Sequence, residues 1–136
     1  MRILLVEDDR SLSRAVSTIL QKNNYSVDCV DNGQLALDYL DQDIYDMVIM
    51  DIMMPVMDGL EAARQIRTLN RKDTKEIPII AMTANAFQDD IRDCIDAGMN
   101  GHIAKPIDIE KMEAVILSVL EKQESLQNGK NNSING

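Results

Sequence analysis

The apolar positions of the chain follow two alternating periods. Ile3 to Val6 is a short unbroken apolar run, the pattern of a strand buried on both faces. Leu12, Ala15, Val16, Ile19 and Leu20 then recur at helical spacing, which gives an amphipathic helix with one core-facing stripe. Asp9 or Ser11 can cap its start, and Asn23-Asn24 end it. From Tyr25 to Val30 apolar and polar residues alternate, as in a less buried strand near a sheet edge. A turn at Asp31-Asn32-Gly33 leads to a second helix with Ala36, Leu37 and Leu40 inward, broken at Asp41-Gln42-Asp43.

The same alternation continues. Met47 to Met50 predicts a third, central strand, and Asp58-Gly59 opens a third helix with Leu60, Ala63 and Ile66 on one face. Asn70 to Glu76 reads as a charged loop. Pro78 starts a fourth strand, Ile79 to Met82, which ends at Thr83. A fourth helix is expected over Phe87 to Ala97, stopped by Gly98, then a short strand at Ile103-Ala104 ending in Lys105-Pro106. The last helix begins near Asp108, with Ile109, Met112, Val115, Ile116 and Val119 inward.

Strands that alternate strictly with helices form βαβ units and a parallel sheet covered on both faces. The expected fold is therefore α/β: a five-stranded parallel sheet in a (βα)5 doubly wound, flavodoxin-like three-layer sandwich. Residues 1–122 form the expected domain, and the polar stretch 123–136 a disordered tail or linker.

Composition narrows the function. A net charge of −9 argues against direct nucleic-acid binding, since phosphate contacts need clustered Lys and Arg. No apolar stretch approaches the roughly 20 residues that span a bilayer, and the N-terminus lacks the long apolar segment of a signal peptide. A cytoplasmic protein with no direct membrane contact is expected. Cys29 and Cys94, without a CxxC pattern, read as buried free thiols. His102 is the single histidine and cannot support a multi-histidine metal site.

The chemistry concentrates at strand ends. In doubly wound folds the site lies at the carboxyl ends of the strands, near the switch in strand order. Here those ends carry Glu7-Asp8-Asp9, Asp51, Thr83 and Lys105. Carboxylates close together repel unless a cation joins them. Mg²⁺ takes hard oxygen ligands and suits one or two carboxylates plus a phosphate oxygen. Asp51 could then act as a nucleophile on phosphorus, giving an aspartyl phosphate. An ammonium from Lys105 and a hydroxyl from Thr83 would meet the charge spread over the phosphoryl oxygens. Each residue alone has a plainer reading. The acids suit a helix N-terminus, Thr83 a cap, Lys105 a solvated surface lysine, and Met47, Met50, Met53, Met54 and Met57 packing. The combination at four strand ends is what points to a site.

Four segments in order carry a family resemblance: Leu4-Leu5-Val6-Glu7-Asp8-Asp9, Met50-Asp51-Ile52-Met53-Met54-Pro55-Val56-Met57-Asp58-Gly59, Ile77-Pro78-Ile79-Ile80-Ala81-Met82-Thr83-Ala84, and Ala97-Gly98-Met99-Asn100-Gly101-His102-Ile103-Ala104-Lys105-Pro106. Over about residues 1–121 the chain resembles the receiver domains of two-component response regulators. The last two segments look most like receivers attached to hybrid sensor histidine kinases.

The resemblance implies that Asp51 accepts a phosphoryl group from the phosphohistidine of a sensor histidine kinase or histidine phosphotransfer protein. It implies Mg²⁺, for which Mn²⁺ could substitute, held by Glu7, Asp8, Asp51 and the backbone carbonyl of Met53. Asp9 keeps its capping role. Thr83, Ala84 and Lys105 would bind the phosphoryl group, with Thr83 as the switch residue and a cis Lys105-Pro106 bond. The family's aromatic switch position holds His102, a possible switch partner that reads equally as an exposed surface histidine. Met53 and Asn85 would flank the path of hydrolytic water, where a bulky Met53 would slow loss of phosphate. The domain would be a monomer or weak dimer, catalysing only its own phosphorylation and slow dephosphorylation.

Three other classes remain open at this level. A haloacid-dehalogenase-like phosphohydrolase needs a second Asp two residues after the nucleophile, where Met53 stands. A flavodoxin-like cofactor carrier needs a Ser, Thr or Gly loop after the first strand, where three acids stand. A pseudo-receiver acting only as a protein-binding module would have no need of the full set Glu7, Asp8, Asp51, Thr83 and Lys105.

Overall fold

The computed structural model describes residues 1–69, 71–84 and 88–135, with the side chains of residues 72, 88, 89 and 126–135 left aside. Five strands, β1 (Arg2–Val6), β2 (Ser26–Val30), β3 (Met47–Asp51), β4 (Ile79–Thr83) and β5 (Gly101–Ala104), form one parallel sheet in the order β2-β1-β3-β4-β5. Six helices are described: α1 (Arg10–Lys22), α2 (Gly33–Leu40), α3 (Gly59–Thr68), α4 (Lys72–Glu76), α5 (Gln88–Asp96) and α6 (Ile109–Asn135).

The burial pattern explains the layers. Ile3 to Val6, Met47 to Asp51 and Ile79 to Thr83 are buried on both faces of the sheet. Their alternate side chains feed two separate cores. Val16 and Leu20 of α1 and Met112, Ile116 and Val119 of α6 pack on Ile3, Leu5, Ile49 and Ile80. Ala36 and Leu40 of α2, Ala62, Ala63 and Ile66 of α3 and Cys94 of α5 pack on Leu4, Val6, Val48 and Met50. The result is the three-layer sandwich that the periodicity predicted. β2 is an edge strand and β3 the central one, as expected.

The helix starts hold the upper rim in place. Asp9, Asn32 and Asp58 each accept a backbone N–H three residues on, at 3.2, 2.9 and 2.8 Å. Each satisfies a donor that the first helical turn leaves free. Gly98 ends α5 with φ +97°, a conformation that side chains disfavour, and Met99 N–H closes back on Cys94 O at 2.9 Å.

Three expectations are corrected. The charged loop at 70–76 contains a short helix, Lys72–Glu76. Thr74 is buried there, and its hydroxyl donates to Arg71 O at 3.0 Å, which tightens the segment into a turn of helix. Cys29 is exposed, because the edge strand has no neighbour on its outer side, whereas Cys94 is buried; both thiols are free. Met53 is 71% exposed and is not a packing residue, unlike Met47, Met50 and Met54. The backbone of α6 runs through the polar stretch to Asn135. The expected helix start at Phe87 and the position of Asn85 lie outside the described residues.

Candidate functional site

The sheet order places the carboxyl ends of β1 and β3 side by side, where the chain switches direction across the sheet. Asp51 is the last residue of β3 and Glu7 follows β1, so both carboxylates emerge at one rim. They are buried, with Glu7 2% and Asp51 3% exposed, while Asp8 is open to solvent. One carboxylate oxygen from each of Glu7, Asp8 and Asp51 lies within 4.8 Å of the others. A single hard cation fits such a set: oxygen donors only, two on the floor and one at the mouth.

Lys105 comes from the opposite side. Its backbone N–H donates to Thr83 O at 2.8 Å, which ties the loop after β5 to the end of β4. The Lys105-Pro106 peptide is cis, as the resemblance implied. The ammonium donates to Asp51 Oδ2 at 2.8 Å and to Glu7 Oε1 at 3.0 Å. The solvated-lysine reading is thereby excluded. The remaining oxygens are also engaged: Asp51 Oδ1 accepts Met53 N–H at 3.0 Å, and Glu7 Oε2 accepts Asp8 N–H at 3.1 Å.

One ammonium thus serves two buried acids, and their titration splits. Burial, then the shared hydrogen bonding with Asp51, pushes Glu7 up to about 7, against the pull of Lys105. Burial also opposes ionisation of Asp51, but the bonds from Glu7, Lys105 and Met53 N–H outweigh it and hold this carboxyl below its ordinary range. Burial works against the Lys105 charge as well, yet Asp51 and Glu7 raise its pKa overall. Asp51 is thus the carboxylate of the pair that stays charged.

Thr83 ends β4 one strand over. It is fully buried, and its hydroxyl has no hydrogen-bond partner among the described residues. A cap would spend that hydroxyl on a backbone group; here it is left over, which is costly unless a further acceptor arrives. Ala84, next to it, is exposed. His102 sits in mid-β5 opposite Ala81, half-buried, and lines a groove of about 760 Å³ between β5 and α6 that Lys105 also borders.

Gly59 was missed in the sequence as part of the site. Its N–H donates to Ile52 O at 3.0 Å, and a Cβ there would run into Asp51 O and lie 2.7 Å from Ile52 Cα. Only glycine lets α3 start this close under the acid. A glycine at a helix start eight residues after a strand-end acid was the available signal.

Comparison with known proteins decides the family. The profile described as "Response regulator receiver domain" matches residues 3–117. The chain belongs to the response regulator receiver family. It is 40% identical over 121 residues to the response regulator ArlR of Staphylococcus epidermidis, covering 89% of this chain and 53% of that protein. It is 38% identical over 123 residues to hybrid signal transduction histidine kinase M of Dictyostelium discoideum, covering 88% of this chain and 5% of that one. The receiver thus spans about half the length, or much less, of the curated relatives it matches. Among solved structures it resembles the receiver domain of a sensor histidine kinase from Pseudomonas aeruginosa PAO1, with TM-score 0.75 and 37% identity over 83% of this chain and 91% of that one. That structure holds a magnesium ion in its active-site cleft. A response regulator from Chloroflexus aurantiacus aligns with TM-score 0.82 at 25% identity, over 88% of this chain and 97% of that one.

Receivers are phosphoacceptor signalling modules of two-component systems, served by histidine kinases as phosphodonors, not turnover enzymes. The hydrolase and protein-binding-only readings are not favoured. No helix among the described residues is long and apolar enough to cross a membrane.

Proposed function

We propose that Asp51 is the residue of this receiver that takes the phosphoryl group. The observation that carries the reading is that two buried acids, Asp51 and Glu7, share the half-buried Lys105 ammonium at 2.8 and 3.0 Å, within reach of Asp8. An Asp51 oxygen attacks the phosphorus of a phosphohistidine, the P–N bond breaks, and the imidazole leaves with its electron pair. Asp51 has its charge held by burial-resisting hydrogen bonds, and Met53 N–H and Lys105 fix its orientation.

Glu7, Asp8, Asp51 and the Met53 carbonyl would hold Mg²⁺, or Mn²⁺ in its place. The chemistry of the donor set supports this, since its acids outnumber the one ammonium among them. Bound there, the ion would offset the charge of the transferring phosphoryl group. Lys105 turns from the two acids to a phosphoryl oxygen. The Thr83 hydroxyl supplies the donor that it now leaves unused, and Ala84 offers its backbone N–H. The new group carries about −1.5 to −2 charges. Movement of Thr83 and Lys105 towards it would shift the face built from α5, β5 and α6, with His102 as the candidate partner in that shift. An exposed Met53 at the mouth impedes hydrolytic water, so the acyl phosphate persists and acts as the signal.

The donor is a sensor histidine kinase or a histidine phosphotransfer protein. The receiver works in the cytoplasm as a monomer or weak dimer, without direct contact to nucleic acid or membrane. Residues 1–122 are the functional unit, and the polar stretch from 123 serves as a linker.

Acetyl phosphate tests the assignment. With Mg²⁺, intact-mass measurement should show one added phosphoryl group on wild type and none on Asp51→Asn. Equal labelling of the two proteins would overturn the role of Asp51, and labelling unchanged by EDTA would overturn the metal.

A further inference from the structure

The loop between β3 and α3 is closed at its base by Gly59 N–H on Ile52 O at 3.0 Å, and pinched again by Met57 N–H on Pro55 O at 2.8 Å. Its side chains divide. Met54 is buried and Met57 packs on the core beneath, whereas Met53 and Val56 point out, 71% and 97% exposed. Val56 also has φ +70°. A β-branched residue in the left-handed region is strained, by about 1–3 kcal/mol, where glycine would be relaxed. Burial does not compensate that strain, because the side chain is almost wholly in solvent. Among the described residues, no packing of the Val56 side chain offsets that strain.

A partner that covers the apex would bury this side chain and offset the strain. The loop follows directly from Asp51, at the same end of β3. Asp51 is 3% exposed, so a donor must bring its phosphohistidine down onto this rim. The rim is divided in chemistry: Asp8, Asp9 and Arg10 stand exposed after β1, and Met53, Pro55 and Val56 after β3. A protein seated over Asp51 therefore meets a charged sector on one side and an apolar apex on the other.

We infer that Val56 is a specificity-determining contact for the protein phosphodonor, its side chain held out by the left-handed turn to enter an apolar pocket beside the donor's phosphohistidine. This rests on the phosphoacceptor reading of Asp51. A rigid apolar knob at the centre of an interface is the kind of residue that carries a large share of binding, and its polar neighbours set the orientation. A small-molecule donor has no such pocket and does not touch Val56.

The test compares two donors on three proteins: wild type, Val56→Gly, which relaxes the turn and removes the knob, and Val56→Asn, which tolerates the turn but presents a polar group. The protein donor is the ³²P-labelled kinase core or histidine phosphotransfer domain that labels wild type fastest in a profiling panel. The small donor is acetyl phosphate with Mg²⁺. Burial of one valine side chain corresponds to about tenfold or more in affinity. Both variants should therefore raise KM for the protein donor about tenfold, with kcat and the acetyl phosphate rate close to wild type, and Val56→Gly should raise the melting temperature. Unchanged KM in both variants overturns the inference while leaving Asp51 intact. An equal loss with both donors assigns Val56 to the shape of the site and also overturns it. If acetyl phosphate labels Asp51 but no phosphohistidine protein does, the donor reading falls and this inference with it.

Discussion

The two ends of the sheet carry similar groups in opposite condition. At the amino end, Arg2 donates to both oxygens of Asp28 at 3.1 and 3.2 Å, and Tyr45 OH donates to the same carboxylate at 2.7 Å. One acid there has two donors. The bonds from Tyr45 and then Arg2 hold Asp28 below the ordinary carboxylate range, and burial followed by the Asp28 bond pushes the Tyr45 hydroxyl well up. At the carboxyl end two buried acids share one ammonium, Glu7 is driven up to about 7, and the Thr83 hydroxyl has no partner among the described residues. The first cluster is satisfied and braces the edge strand. The second is short of positive charge and has a donor to spare, which is the condition of a site awaiting a cation and an anionic group together.

The same substitution at the two ends should therefore have opposite effects. Asp51→Asn removes one of two competing acids, abolishes phosphorylation, and in Mg²⁺-free buffer at pH 8 should raise stability by about 1 kcal/mol. Asp28→Asn leaves Arg2 and Tyr45 with a weaker acceptor and should lower stability by about 1 kcal/mol, with acetyl phosphate labelling kept. Urea unfolding of both variants measures this. Shifts of the same sign would break the contrast.

Titration sharpens it. Metal-free, folded Glu7 holds a proton up to about pH 7, whereas in the unfolded chain it is lost near 4.5. The folded state binds the extra proton, so stability should fall as pH rises from about 4.5 through 7, by roughly 3 kcal/mol. Asp28 works the other way: its folded pKa is lowered, so its contribution is present above the unfolded carboxylate pKa and lost as pH falls. Glu7→Gln should flatten the neutral decline and leave the acid one. With Glu7 among the ligands, as proposed, Mg²⁺ would need its ionised form, and the affinity should rise about tenfold from pH 6 to 8. A pH-independent affinity, by fluorescence or calorimetric titration, would remove Glu7 from the ligand set.

The two ends also differ in how far the sequence revealed them. Glu7, Asp51, Thr83 and Lys105 were legible because each ends an apolar run and the fold rule collects such ends at one rim. Their separations, up to 98 residues between Glu7 and Lys105, did not matter once the strands were placed. The brace was not legible. Arg2, Asp28 and Tyr45 lie at no motif, and their meeting depends on the register that sets Arg2 opposite Ser26 and Leu4 opposite Asp28. The α4 turn was hidden for a similar reason: buried Thr74 and the Arg67 guanidinium, which donates to Thr74 O at 3.2 Å and Gly98 O at 2.8 Å, fold a segment whose composition reads as loop. The outward Val56 is legible only from its backbone angle.

The end of α6 should matter least of all to either cluster. Among the described side chains Val119 is the last buried apolar residue of the helix, and the Gln123 amide donates to Glu76 O at 3.1 Å. Beyond Ser125 the sequence has only Leu126 and Ile134 as large apolar residues, too few and too far apart for a core-facing stripe. A helix segment without an apolar stripe is marginal in water, so the turns after 125 should add little to the stability of the body. A chain ending at residue 125 should keep its melting temperature within about 2 °C, since 1 kcal/mol corresponds to several degrees in a domain of this size. Its acetyl phosphate labelling should match the full chain. A larger loss would place part of the structural unit beyond residue 122 and move the domain boundary towards the C-terminus.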